Sequence, residues 1–190
     1  MLIQRSIDNA DVRLEPVDLD EWLPDPQVRA RHRRRAHARP DELWHAAESV
    51  RVRDAPTLGR AVRWRIPGTS PDTPFRELFR EYPFTVLAEG DGWSVSGLCG
   101  RIWTLKRDYP RLHGADDFRS WHEPGTVRVV IANWVEAAPD GAASLVSESR
   151  VKPTDRGGSL RLRALWTVVG GFERLIGGEV LRIAVRRAES

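Results

Sequence analysis

The sequence contains very little cysteine and very little lysine. Cys99 is the only cysteine, which excludes an intrachain disulfide and a zinc site built from several cysteines. Among the 30 basic residues only Lys106 and Lys152 are lysines, and the others are arginines. The net charge is only +3, because 27 carboxylates offset these cations, and there is no long basic tail. We therefore do not expect nucleic acid as a partner.

Long apolar runs are missing as well. The first 16 residues, MLIQRSIDNADVRLEP, lack the apolar stretch of a secretion signal. The most apolar late segment, residues 164–185, contains Glu173, Arg174, Glu179 and Arg182, which argues against a transmembrane helix. We expect a soluble protein, and the single cysteine is typical of the reducing cytoplasm.

The chain is long enough to bury one substantial core, with 190 residues and 41% hydrophobic content. We expect a single domain over residues 28–190. Residues 1–27 are rich in acids and prolines and show little periodicity, which predicts an extension packed on that domain.

The predicted domain begins with an alternating segment, from Val28 to Ala38. Arginines and His37 occupy one face, and the other face carries Ala30, His32, Arg34, Ala36 and Ala38. Pro40 then predicts the start of a helix, because proline suits the first helical turn. Short helices are also expected between Thr57 and Tyr82, around a break at Pro67-Gly68.

The middle of the chain predicts strands, and its end predicts a helix. A hairpin signal at residues 90–92 separates strands over 84–89 and 93–104, and a turn at 139–141 separates two more, ending at Val135 and spanning 142–152. A long amphipathic helix is predicted from Ser159 to Ala188. This order predicts an α+β fold in which a curved antiparallel sheet wraps around the C-terminal helix and leaves a hollow.

Four short stretches also point to a family. They are ARPDELW at 38–44, GRIW at 100–103, EPG at 123–125 and SESRVKPTD at 147–155. In this order they resemble bacterial START-like (SRPBCC) proteins of the polyketide cyclase/dehydrase and lipid-transport type. The resemblance covers about residues 28–188. It implies a helix-grip fold, with seven strands curled around a C-terminal helix over a ligand cavity, but it implies no catalytic residue.

Strand alternation supplies the candidate cavity residues. They are His32, Arg34, Cys99, Arg101, Trp103, Ile131, Asn133, Ser147 and Ser149 on the strands, and Leu165, Trp166, Val169 and Phe172 on the last helix. One interpretation is that the polar members satisfy local backbone groups. The other is that His32, Arg34 and Arg101 form a cationic end that holds a carboxylate, phosphate or enolate oxygen.

Other catalytic motifs are not found. His32 and His37 fall on opposite faces of their strand and no metal-ligand spacing appears, so we expect neither a metal nor a cofactor. The segment GWSVS at 92–96 departs from GxSxG at its last position. Cys99 lies in an apolar strand and is expected to be a core residue rather than a nucleophile.

Two functions remain. The first is binding or carrying of a small hydrophobic molecule, lipid-like or polyketide-like, and an inward apolar surface favours it. The alternative is a polyketide cyclase or dehydratase in which His32, Arg34 or Arg101 polarises a carbonyl. The glycine pairs at 170–171 and 177–178 are consistent with either a helix kink or a site where a ligand approaches the last helix. The sequence leaves the oligomeric state open.

Overall fold

The computed structural model describes residues 17–65, 68–104 and 109–190, apart from the side chains at 61, 63–65 and 168–177. The strands are β1 (Val28–Ala36), β2 (Thr85–Gly90), β3 (Trp93–Gly100), β4 (Val127–Ala137) and β5 (Ala143–Pro153). The α-helices are α1 (Pro40–Ser49), α2 (Pro56–Arg65), α3 (Ala115–Ser120) and α4 (Arg156–Ala188), and 3₁₀ helices span Val52–Asp54 and Phe75–Phe79.

The fold is α+β, with an open five-stranded antiparallel sheet and a long C-terminal helix, the arrangement of a helix-grip fold. The strand order is β1-β5-β4-β3-β2, so the first strand lies beside the last. This confirms the predicted fold class. The family resemblance implied seven strands, whereas the described residues form five.

Two strands end earlier than their patterns predict. β1 ends at Ala36 rather than Ala38, and β3 ends at Gly100 rather than Thr104. Gly100 has φ of +134°, a conformation that side-chain-bearing residues rarely adopt and that turns the chain out of the sheet. The alternation of apolar and polar residues beyond Gly100 therefore does not show which face of the sheet they lie on.

One face of the sheet packs against helices. α4 lies on β1 and β5 and also contacts α1. Around its C-terminal half, Val180, Leu181 and Ala184 form a cluster with Leu43 of α1 and Leu145 of β5. At the N-terminal end of α4, Leu162 packs in a second cluster, with Leu98, Val127, Val129 and Val151. We call this side the helix-facing side.

The opposite face of the sheet is covered too. Leu19, Trp22 and Leu23 lie on it with Phe118 of α3, over a cluster that includes Val95. Beneath this cover, a buried ion pair joins Glu148 and Arg150, and Arg150 also reaches Asp20 and the Leu23 carbonyl oxygen. Of the expected N-terminal extension, residues 1–16 lie outside the described part of the chain, and the described part packs on this outer face.

α4 runs as one helix of 33 residues through both glycine pairs. Its N-cap is Asp155, whose carboxylate accepts hydrogen bonds from the backbone N–H groups of Gly158 at 2.6 Å and Gly125 at 2.8 Å. Further along, the buried carboxylate of Glu179 accepts a bond from the Leu58 N–H at 2.9 Å, in the first turn of α2. A carboxylate is favourable there because it faces the positive end of the helix dipole.

The arginines of β1 form the exposed side of this edge strand. Four of the five arginines of β1 are matched by a carboxylate on the neighbouring strands or the β4–β5 turn: Arg29 by Glu148, Arg31 and Arg33 by Glu136, and Arg35 by Asp140. The positive charge of this face is therefore largely offset. No helix in the described part of the chain is long and apolar enough to cross a membrane.

Candidate ligand-binding cleft

A groove of about 660 Å³ opens between α1 and the hairpin that joins β2 to β3. Its lining combines the first turns of α1, the hairpin, Arg76 and the end of β4. These residues are Pro40, Asp41, Trp44, His45, Glu48, Arg76, Glu89, Gly90, Asp91, Gly92, Trp93, Ser94, Val135 and Ala137. The volume lies within the range of small-molecule sites, roughly 300–1,000 Å³.

Two tryptophans line this groove, one from the helix side and one, Trp93, whose ring packs with Val95 and Trp134 on the outer face of the sheet at its edge. Trp44 comes from α1 and Trp93 from the start of β3, and both are half-buried rather than buried. The Trp93 ring lies directly over Gly90, where a Cβ atom would be only 2.4 Å from the indole Nε1. Glycine at this position is therefore what allows the ring to lie against the hairpin.

Beneath the groove lies an inner cleft, which shares Trp44, Glu48, Arg76 and Ser94 with it. The cleft lies between the sheet, α1, the second 3₁₀ helix and α4. Its lining is mainly apolar and includes Ala47, Phe75, Phe79, Val86, Leu145, Val180 and Leu181. Its free volume is about 30 Å³, close to the volume of one water molecule in the liquid.

The charged side chains of the cleft are paired. Arg76 donates a hydrogen bond to Glu48 and lies 3.7 Å from Glu89, and Arg80 makes a two-pronged contact with Glu89. The hydrogen bond from Arg80 holds the pKa of the Glu89 carboxyl below its usual range. The Nε atom of Arg76 is buried without a hydrogen-bond partner among the described residues.

A row of polar side chains crosses the helix-facing side of the sheet. In register, His32 of β1 lies opposite Ser147, Ser147 opposite Asn133, and Asn133 opposite Ser94. Residues directly opposite one another in a sheet point to the same face, with Cβ atoms about 5 Å apart. The row therefore runs over four strands and ends in the groove and the cleft.

The structure thus places several expected cavity residues together. His32, Asn133 and Ser147 share the polar row, and Ile131 and Ser149 lie opposite each other in the next one. All five are half-buried. Of the eleven candidates whose side chains the structure describes, Asn133 is the one that lines the groove or the cleft.

Other candidates lie elsewhere. Cys99 packs on the outer face with Val95 and Phe118, and burial raises the pKa of its thiol to about 12, so it stays protonated. Arg101 is exposed beyond the end of β3, and Arg34 is exposed on the edge strand. Trp103 is half-buried in the cluster at the N-terminal end of α4.

The helix candidates are only partly described. Leu165 and Trp166 are half-buried on α4. Val169 and Phe172 lie outside the residues whose side chains the structure describes, and so do Gly170, Gly171 and Gly177.

Alternation in β3 led to the wrong face. It favours Val95 and Cys99 as inward residues, whereas Ser94 and Ser96 lie in the cleft. β3 is covered on both faces, so apolar residues occur on either side and their period does not identify the helix-facing one. Ser94 lies opposite Asn133 in the sheet, but the pairing of strands cannot be read from a single sequence.

Among the described residues, no group of three or more His, Cys, Asp or Glu side chains is arranged to hold a metal ion. Three of the four acidic residues of the groove, Asp41, Glu48 and Glu89, instead pair with arginines.

No protein-family model matches the chain, and no curated protein matches it. Solved structures give distant similarities. A hypothetical protein, jhp0584, from Helicobacter pylori is 9% identical over 89% of this chain and 93% of its own, with a TM-score of 0.39. Protein MLL2253 from Mesorhizobium loti is 11% identical over 84% of this chain and 98% of its own, with a TM-score of 0.38.

The Zhui aromatase/cyclase from Streptomyces sp. R1128 is also similar. It is 15% identical over 84% of this chain and 94% of its own, with a TM-score of 0.31. Identities and TM-scores this low carry no argument about function.

Proposed function

We propose that this protein binds a small, largely apolar molecule, lipid-like or polyketide-like, in the groove and the cleft beneath it. The observation that carries the proposal is an open space of about 660 Å³ between α1 and the β2–β3 hairpin, lined by Trp44 and Trp93. Large aromatic side chains left partly exposed in a concave site are typical of ligand pockets.

The layout of the two spaces supports a bound molecule with two parts. The groove has room for an apolar body, and it continues into the cleft past Ser94 and Trp44, which line both. The cleft itself has room for a single small group. A ligand would lie against Trp44 with one end directed at the sheet.

Binding is favoured over catalysis by the charged groups near the site. Glu48 already accepts a hydrogen bond from Arg76, and Glu89 is held by Arg80. His45 lies 3.5 Å from Glu48, but its side chain is 78% exposed, so its proton exchanges with solvent rather than with an enclosed substrate. No second function is proposed.

The proposal is tested by titrating the protein with N-phenyl-1-naphthylamine, an uncharged dye that fluoresces in apolar surroundings. We expect saturable binding to the wild type and its loss in Ser94→Leu, which places an isobutyl group where groove and cleft meet. Ser120→Leu, an equivalent change at an exposed position on α3, is the control. Wild type without saturable binding, or Ser94→Leu with wild-type affinity, would refute the proposed site.

A further inference from the structure

The helix-facing side of the sheet carries polar side chains that the protein itself does not use. They are Ser94 and Ser96 on β3, Asn133 on β4, and Ser147 and Ser149 on β5. No hydrogen bond of these side chains is found among the described residues, and none of their polar atoms is both buried and unpaired, so water reaches them. Ser96 is only 3% exposed and lines the cleft, and the other four are half-buried.

Such groups are costly in an apolar site unless something pairs with them. A ligand that displaces water from a hydroxyl or amide must replace the hydrogen bonds that the water made, and a side-chain amide offers two donors and an acceptor with two lone pairs. The neighbours of Asn133 in the cleft include Leu145, Val180 and Leu181, whose side chains form no hydrogen bonds. A ligand that fills the cleft is therefore expected to pair with these groups itself.

Three of these groups converge on the cleft. Ser94 lies opposite Asn133, Ser96 follows two residues along β3, and all three line the same space. Opposite side chains on neighbouring strands have Cβ atoms about 5 Å apart, so one small group can reach both Ser94 and Asn133. The free volume of about 30 Å³ admits a group of about that size.

The charges around the cleft decide what kind of group this is. Arg76 is engaged by Glu48 and Glu89, and Arg80 by Glu89. A charged ligand group would have to take its counter-charge from these ion pairs inside a mainly apolar space, which is unfavourable, whereas the unpaired Arg76 Nε–H can be satisfied by the oxygen of a neutral group. This differs from the cationic end expected from His32, Arg34 and Arg101, since Arg34 and Arg101 are exposed and neither lines the cleft.

We infer that the ligand carries an uncharged oxygen-bearing group, a carbonyl or a hydroxyl, which occupies the cleft and hydrogen-bonds to Ser94, Ser96 and Asn133. The apolar remainder of the molecule lies in the groove against Trp44, which lines both spaces. This inference rests on the proposed function and specifies the ligand class of the same site.

Three probes of nearly the same shape test it: 2-acetonaphthone, with a neutral carbonyl, 2-isopropylnaphthalene, with none, and 2-naphthoate, with a charge. Their affinities are measured by displacement of N-phenyl-1-naphthylamine. In Asn133→Leu the ketone should bind about 3- to 10-fold more weakly than to wild type, as expected for one lost hydrogen bond. The isopropyl compound should bind equally well or better, and naphthoate should bind wild type at least about 10-fold more weakly than the ketone.

Ser144→Ala is the matched control, because Ser144 is also 3% exposed but lies one residue out of phase with Leu145, on the other face of β5. This substitution should change neither the affinity for the ketone nor the affinity for the isopropyl compound. Three results would each overturn the inference while leaving the proposed function intact. In Asn133→Leu, the affinities for the ketone and for the isopropyl compound could fall equally, or neither could fall. In the wild type, naphthoate could bind as tightly as the ketone. A wild type that binds neither the dye nor any naphthalene would overturn both.

Discussion

At the residue scale, the groove depends on Gly90 having no side chain. A methyl group there would lie 2.4 Å from the Trp93 Nε1, so Gly90→Ala must move the indole. Gly90 does not have a positive φ, so alanine fits the backbone itself. We expect Gly90→Ala to weaken dye binding several-fold and to change the melting temperature by no more than about 2 °C.

Gly157→Ala is the control for this change, because a Cβ at Gly157 meets only Asp155 Oδ1, at 3.5 Å. It should leave dye binding unaltered. If Gly90→Ala binds the dye as the wild type does, Trp93 is not a wall of the ligand site.

The buried carboxylate of Glu148 gives a second prediction. It is 1% exposed and accepts from Arg29 and Arg150, at 2.8 and 2.7 Å. Glu148→Ala leaves the Arg150 guanidinium buried with one carboxylate fewer, and should lower the free energy of unfolding by about 3–5 kcal/mol in urea denaturation. The double variant Glu148→Leu/Arg150→Met removes both charges and should recover much of that loss. A single variant that loses less than about 1 kcal/mol would contradict this account.

Sequence reasoning located one of the three polar residues of the cleft. Asn133 stands among Val129, Ile131 and Val135 on one face of β4, so alternation identifies it. Ser94 and Ser96 were missed because their strand is buried on both faces. Trp44 was not among the candidate cavity residues, yet its position opposite the hairpin leaves it half-buried in the groove.

At the scale of elements, the order of strands and helices was predictable because turns and caps are local signals. Pro40 begins α1, and the Gly90-Asp91-Gly92 and Pro139-Asp140-Gly141 turns separate the strands as expected. The pairing of β1 with β5 was not predictable from local pattern, since it joins residues more than a hundred positions apart. Yet that pairing creates the row that brings His32 and Ser147 together.

The N-cap of α4 is expected to depend on pH. Hydrogen bonds from the Gly158 and Gly125 N–H groups lower the pKa of the Asp155 carboxyl, so they stabilise the folded protein while the carboxylate is charged. This stability is present above the unfolded pKa of about 3.9 and is lost as pH falls through the lower folded-state value. Wild type should be more stable than Asp155→Asn at about pH 6, and the difference should shrink below about pH 4. A difference in unfolding free energy that does not change with pH would argue against this role.

Two glycines in regular elements should respond in opposite directions to alanine. A Cβ at Gly178 of α4 meets no described atom within 4 Å, so Gly178→Ala should raise the free energy of unfolding by about 1 kcal/mol through helix propensity. A Cβ at Gly97 of β3 would lie 2.7 Å from Leu87 and 2.8 Å from Phe118, so Gly97→Ala should lower it. Urea denaturation of both variants checks the pair, and the same sign of change for both would contradict the described packing.

At the scale of the whole molecule, the two faces of the sheet serve different purposes. The outer face is closed by residues 19–23 and α3 and contains the Glu148–Arg150 pair. The helix-facing side is packed at both ends of α4, by Leu162 at one and Leu181 at the other. The partnerless polar residues lie between these two clusters and lead out to the groove.

Native mass spectrometry of the protein purified from the cells that naturally produce it tests the central claim most directly. The account predicts a non-covalent adduct of one small molecule per chain, released on denaturation. The molecule should be largely apolar, uncharged, and bear a carbonyl or hydroxyl group, and the adduct should be absent from Ser94→Leu and retained by Ser120→Leu. Two results would contradict the claim that this cleft binds a ligand. One is an adduct that survives unchanged in Ser94→Leu. The other is a wild-type protein that carries no molecule and takes up none of the neutral probes.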